Sequence, residues 1–279
     1  MNVPPSVTEI RDVAYVGGGH ERQRLDLYVP PDGAHLPLVI WIHGGAFRAG
    51  SKDQHVPLDL LAEGFAVASI GYRLSQHATF PAQIVDVKAA VRWLRAHADQ
   101  YGLDPGRVAV WGESAGGYLA AMLGTTGRVA EFDQGAHLEM SSQVQAVIDF
   151  FGPTDFLQMD AHRLADGLVH DAPDSPESCL IGGAIQEHPE ATARANPIAY
   201  VSGDEPPFLL VHGDRDPLVP HHQSALLASA LEAAGVPVTF YTVAGGGHGG
   251  FTDPQVGALT KRFLRAHLKS SLDSDAGML

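Results

Sequence analysis

The chain has 279 residues, 45% hydrophobic and 18% charged, the balance of a globular protein rather than a fibrous or disordered one. Its 32 acidic residues against 18 basic ones give a formal charge of -14, which argues against nucleic acid or an anionic membrane as partner. No apolar run reaches the roughly eighteen residues that a membrane span needs, and a single cysteine, Cys179, excludes an internal disulfide and fits a reducing compartment.

The opening MNVPPSVTEIRDVAYV has no basic segment followed by an apolar one. No signal peptide is visible, so a cytoplasmic location is expected, or a secreted one if a leader has been removed. Residues 1–11 read as a lead-in. Val13 to Val16 and Arg24 to Val29 predict strands joined by a turn at Gly17-Gly18-Gly19, and Pro30-Pro31-Asp32-Gly33 predicts a loop. Leu38 to Ile42 is a continuous apolar run, the pattern of a strand buried on both faces of a parallel sheet. It ends at His43-Gly44-Gly45-Ala46-Phe47. A short helix is expected over 55–63 and a buried strand over 65–70. Pro81 opens a long helix to about Gln100, with Ile84, Val87, Val91, Leu94 and Ala98 on one face.

Val108 to Trp111 is the next apolar strand. It runs into Gly112-Glu113-Ser114-Ala115-Gly116-Gly117 and then into an Ala/Leu-rich helix. A Gly-x-Ser-x-Gly turn between strand and helix is a nucleophile elbow: small residues permit the sharp turn and hold the serine hydroxyl clear at a helix N-terminus. A further strand is expected at Val144 to Phe150. From Phe156 to about Tyr200 the pattern breaks into a stretch rich in Asp, His, Pro and Gly. It reads as a cap of about 156–200 inserted into one domain spanning 1–279, against the alternative of a solvated excursion with no role. Cys179 falls in this stretch and reads as a structural thiol. Strands at 207–212 and Val238 to Val243 and helices at 220–234 and 254–268 complete the chain, with residues 270–279 a frayed tail. Strands alternating with helices predict an α/β fold with a mostly parallel sheet and helices on both faces.

A serine hydroxyl needs a base, and the base needs an orienting acid. In such sheets functional groups gather at the carboxyl ends of strands. After the strand at 207–212 come Asp214 and Asp216. After the last strand comes His248, flanked by glycines. Ser114, an aspartate and His248 therefore occur in the chain order that an elbow requires. Asp216, farther out on its loop and followed by Pro217, is preferred as the acid, which leaves Asp214 to fix its own turn. The oxyanion hole is expected from the amides of Ala115, Gly45 and Ala46. Gly44, Phe47 and Glu113 are the candidate substrate-binding residues. His43 reads as a structural residue holding the glycines, and His221 and His222 as surface or capping residues. No histidine or cysteine pair has ligand spacing with a supporting carboxylate, so neither a metal nor a cofactor is expected. The Gly245–Gly250 run closes the sheet and is no dinucleotide loop.

Together these stretches resemble the α/β-hydrolase superfamily over nearly the whole chain. His43 to Phe47 and Gly112 to Gly117 are similar to hormone-sensitive-lipase-like and feruloyl-esterase-like carboxylesterases. His212-Gly213-Asp214-Arg215-Asp216-Pro217-Leu218-Val219-Pro220 resembles the bacterial feruloyl/acetyl-xylan esterase-like branch and the prolyl-oligopeptidase catalytic domain. The resemblance implies that Asp216, last of His-Gly-x-x-Asp, is the acid. It also implies an eight-stranded sheet, a variable cap, and a serine carboxylesterase acting on small-to-medium esters, among them acetyl- or feruloyl-sugar esters. Ala46 and Phe47 depart mildly from the third glycine and tryptophan common there. The expected partner is a small-molecule ester. An arylformamidase or peptidase-type acyl hydrolase is the nearest alternative, and a non-catalytic binding module on the same fold a more distant one. The sequence leaves oligomeric state open.

Overall fold

A computed structural model describes residues 6–31 and 33–269; the tail expected at 270–279, Asp32 of the expected loop and the first five residues of the lead-in lie outside them. Among the described residues eight strands form a single sheet. They are β1 (Thr8–Ala14), β2 (Arg24–Val29), β3 (Leu36–Ile42), β4 (Ala66–Ile70), β5 (Leu103–Glu113), β6 (Ala146–Phe150), β7 (Phe208–Gly213) and β8 (Val238–Val243). Their order is β1-β2-β4-β3-β5-β6-β7-β8. The two pairings made by β2 are antiparallel and the other five are parallel. This is the mostly parallel sheet that the alternation of strands and helices predicts, with the eight strands that the family resemblance implies.

The strand runs explain the layers. Side chains alternate between faces along a strand. Leu38, Ile40 and Ile42 of β3 and Val108 and Val110 of β5 join one core, while Val39, Trp41 and Ala109 join the other. The first core is covered by α1 (Ala82–Ala96) and α2 (Ala115–Thr125). All five apolar residues expected to line the first long helix are buried there. Next come three short helices, α3 (Met159–His162), α4 (Pro176–Ile181) and α5 (Pro189–Arg194), then α6 (His222–Ala233) and α7 (Pro254–Leu268). Leu227 and Leu231 of α6 pack on the α1 side. Val256, Phe263 and Leu264 of α7 cover the opposite face.

Several boundaries differ from expectation. β1 starts at Thr8, inside the supposed lead-in, because backbone pairing with β2 rather than apolar patterning defines it. It is an edge strand with mostly exposed side chains. Its register shifts between Ile10 and Val13, where Asp12 takes a φ of 55°. The expected helix at 55–63 is a 3-10 turn over Leu58–Glu63, stopped by Gly64 at φ 76°. The long helix ends at Ala96, and Asp99–Tyr101 is a separate 3-10 turn. The irregular stretch from Phe156 to Tyr200 contains α3 to α5 and two 3-10 turns. Phe156, Met159, Leu180, Ile185 and Ala195 bury it in the same core as α1 and α2.

Candidate active site

The turn from β5 to α2 is built from close backbone contacts. Ser114 sits between them at φ 55°, ψ -121°, a conformation that costs a non-glycine residue about 1–3 kcal/mol. It is held there by its N–H donating to Phe150 O at 2.8 Å and by Tyr118 N–H donating to its carbonyl at 3.0 Å. A Cβ on Gly112 would lie 2.0 Å from Gly116 O, and one on Gly116 would lie 2.1 Å from Ile42 O. Only glycine lets the chain fold back this tightly beside β3. Behind the turn lies Asp149 of β6. It is fully buried, accepts the Gly152 N–H at 2.9 Å on Oδ1, and among the described residues has no partner on Oδ2. Burial pushes its carboxyl up to about 7, against the opposing Gly152 bond.

The loops after β7 and β8 bring two more side chains to Ser114. His248 Nε2 is 3.0 Å from Ser114 Oγ, and His248 Nδ1 is 2.7 Å from Asp216 Oδ2. Asp216 Oδ1 accepts the amides of Leu218 at 2.8 Å and Val219 at 2.9 Å. Burial alone would raise the Asp216 carboxyl. The hydrogen bonds from His212 and then His248 outweigh it and hold the group well below the usual carboxylate range. An ionised Asp216 accepts from His248 Nδ1–H, which leaves the lone pair on Nε2 for the serine proton. The Phe151 ring packs on His248 at 4.6 Å between centroids. Asp214, expected to fix its own turn, instead accepts the Gly245 N–H at 2.7 Å, so it ties the β7 loop to the histidine loop.

The loop after β3 is held from the other end of the chain. His43 is fully buried and its ring stacks on Tyr72 at 4.5 Å. Arg22 Nη2 lies 3.2 Å from His43 Nε2, and the same nitrogen donates to Gly50 O at 2.8 Å. A guanidinium has only donors, so His43 Nε2 accepts. Nδ1 therefore carries the proton and donates to Gly44 O at 2.6 Å. Burial first, with Arg22 adding to it and the Gly44 bond opposing, brings His43 down to about 4 and keeps it neutral. Beyond it Gly45, Ala46 and Phe47 all have positive φ, and Gly45 O accepts from both Arg48 N and Ala49 N.

Gly44, Gly45 and Ala46 border a cleft of about 610 Å³ that also holds Ser114, His248 and Glu113. Ala115 is the first residue of α2, where an N–H has no intrahelical acceptor. The lining mixes polar side chains, Gln54, His55 and Glu113, with apolar ones, Phe151 and Leu218. Glu113 Oε1 is 2.6 Å from His55 Nδ1. Phe47 corrects the expectation that it binds substrate. Its ring is 1% exposed and packs edge-on to Tyr118 at 5.3 Å, because the positive φ at 46 and 47 turns the side chain into the core. Sequence reasoning passed over Arg22, His55 and His212. The first two carry no local signal. His212 stands at the head of the same motif as Asp216 but reads as the end of an apolar strand.

A family model described as BD-FAE matches residues 25–231. The chain is 32% identical over 247 residues to esterase LipQ of Mycobacterium tuberculosis, covering 86% of this chain and 56% of LipQ. It is 35% identical to a truncated carbohydrate esterase from gut microbiota, with a TM-score of 0.87 over 94% of this chain and 97% of that one. Esterase B of Lactobacillus Rhamnosis, at 23% identity and a TM-score of 0.78 over 99% of this chain and 90% of that one, shares the fold. The chain spans about half to two thirds of the length of the curated esterases of Mycobacterium tuberculosis that it matches. Among the described residues no helix is long and apolar enough to cross a membrane.

Proposed function

The chain belongs to the BD-FAE family, within the α/β-hydrolase carboxylesterases, and on that footing we propose that it hydrolyses small-to-medium carboxylic esters through an acyl-enzyme on Ser114. The observation that carries this reading is the unbroken path from Ser114 Oγ through His248 to Asp216, at 3.0 and 2.7 Å. Ser114 Oγ attacks the ester carbonyl as His248 Nε2 takes its proton. Asp216 holds the His248 tautomer and stabilises the imidazolium. The amides of Gly45, Ala46 and Ala115 receive the oxyanion. His248 then gives its proton to the departing alcohol. Water repeats the sequence on the acyl-enzyme, releasing the acid and restoring Ser114.

Gly44 lets the substrate approach the loop, and Glu113 faces its polar part. The stretch 156–200 acts as a cap on a single catalytic domain. Acetyl- or feruloyl-sugar esters are the substrates we favour, on the likeness to a carbohydrate esterase. A fluorophosphonate should label the protein at Ser114. Ser114→Ala should abolish labelling and cut hydrolysis of a p-nitrophenyl ester by about 10⁶-fold with unchanged melting. An unlabelled wild-type protein removes the reading. Rates on acetylated sugars, feruloyl esters and N-formylkynurenine then divide esterase from arylformamidase.

A further inference from the structure

Asp216 carries two imidazoles. His212 lies near the end of β7, fully buried. Its Nε2 is 3.1 Å from Asp216 Oδ2, the same oxygen that His248 Nδ1 meets, and 3.0 Å from Val219 O. A carbonyl oxygen only accepts, and so does an ionised carboxylate, so Nε2 carries a proton shared between the two. On the far side, His212 Nδ1 is 2.8 Å from Ser224 Oγ of α6. In a neutral ring that hydroxyl donates to Nδ1. A single path then runs from Ser224 to His212, Asp216, His248 and Ser114. Of the donors on Asp216, two amides hold Oδ1 and two rings hold Oδ2.

We propose that His212 is a positioning residue for the reaction: its Nε2–H, anchored through Ser224 Oγ, aims Asp216 Oδ2 at His248 and limits how strongly that carboxylate draws on the His248 proton. The inference rests on the reading of Ser114, His248 and Asp216 as the catalytic set. Two donors divide the acceptor strength of one oxygen. With His212 gone, His248 has that oxygen to itself and becomes the more basic ring. His221 stands edge-on to His212 at 5.5 Å, bonds Thr242 Oγ1 and feels the charges of Asp214 and Asp216; Phe151 is apolar. Asp214 is engaged by Gly245.

The test compares p-nitrophenyl acetate hydrolysis across pH for the wild type, His212→Leu, His212→Gln and Ser224→Ala. Fluorophosphonate labelling of the wild type at Ser114 first establishes the underlying reading, so its failure is seen separately. In His212→Leu, kcat should fall about tenfold, the scale of one hydrogen bond to a charged group, with KM nearly constant. The acid limb of its rate profile should move to higher pH. His212→Gln places an amide N–H near the Nε2 position and should recover most of kcat and return the limb. A folded His212→Leu with wild-type kcat overturns the inference. So does one that loses kcat with an unmoved limb and gains nothing from glutamine. Should His212→Leu not fold, Ser224→Ala decides: a drop of about threefold with the same displacement of the limb supports the role, and a wild-type profile overturns it.

Discussion

Ser114 and its partners are held in place by different forces. On the serine side the fixing is done by backbone: glycines at 112 and 116 leave less room than a Cβ needs, and the strained φ of Ser114 is held by main-chain hydrogen bonds. On the histidine side it is done by side chains. Asp216 is gripped by two rings and two amides, Asp214 ties loop to loop, and Phe151 supports His248. The lesson is that the two sides should fail differently. Damage to the first should cost the fold, and damage to the second should cost rate far more than it costs the fold.

Among changes to the groups that hold Ser114 and its partners in place, the largest effect should come on the side-chain half. Asp216→Asn should lower kcat by about 10⁴-fold, since a neutral amide can present the wrong tautomer of His248, with a smaller loss of stability than the backbone variant Gly116→Val. Rate and thermal melting measured on one preparation check both statements. On the backbone half Gly116→Val should do the reverse. Its branched side chain would meet Ile42 O and His43 O, and we expect a loss of about 3–5 kcal/mol in urea unfolding or an insoluble product. A well-folded Gly116→Val variant would break the comparison.

Asp149 sharpens it, because it is a buried acid beneath the serine turn. Its carboxyl sits near 7 in the folded chain against an ordinary value of 3.8. Between those values the folded protein binds more protons than the unfolded chain, so this group's contribution to stability is present at low pH and declines as pH rises to about 7. Asp149→Asn keeps the shape and cannot ionise. Its advantage over wild type in urea melts should grow by about 2–3 kcal/mol between pH ~5 and pH ~8; an equal advantage at both sinks the account. The smallest change is expected for Arg22→Leu, which leaves His43 Nε2 without its donor. Loosening of the loop after β3, where we place the oxyanion donors, should lower kcat/KM by about three- to tenfold, mainly through kcat. An effect confined to KM would argue against that loop's part in catalysis.

What the sequence made legible follows the same division. The inner strands are unbroken apolar runs because both faces are covered, and the elbow shows itself because its geometry admits only small residues at fixed spacing. His248 and the aspartates could be found from chain order and strand ends. Arg22 could not, since its contacts to the loop lie 21 and 28 residues away and depend on how β2 docks. The first part of β1 was hidden because an exposed edge strand needs no apolar alternation. The α4 start was readable: Ser175 caps Ser178 N–H with Pro176 in the first turn, a signal that the surrounding polar composition masked. Phe47 was misjudged because motif position says nothing about the sign of φ.

The kink in β1 has a consequence for crowded solutions. A bare sheet border is a template on which a second molecule can lay a strand. Here the ladder breaks between Ile10 and Val13, and the residues at the break are held inward onto β2 and the loop beyond it, Arg11 by Asp26, Tyr28 and Asp53, and Asp12 by Lys52 and through its N–H by Asp26. A newcomer could not stay in step past the break. That margin is thereby closed to edge-to-edge growth into fibres.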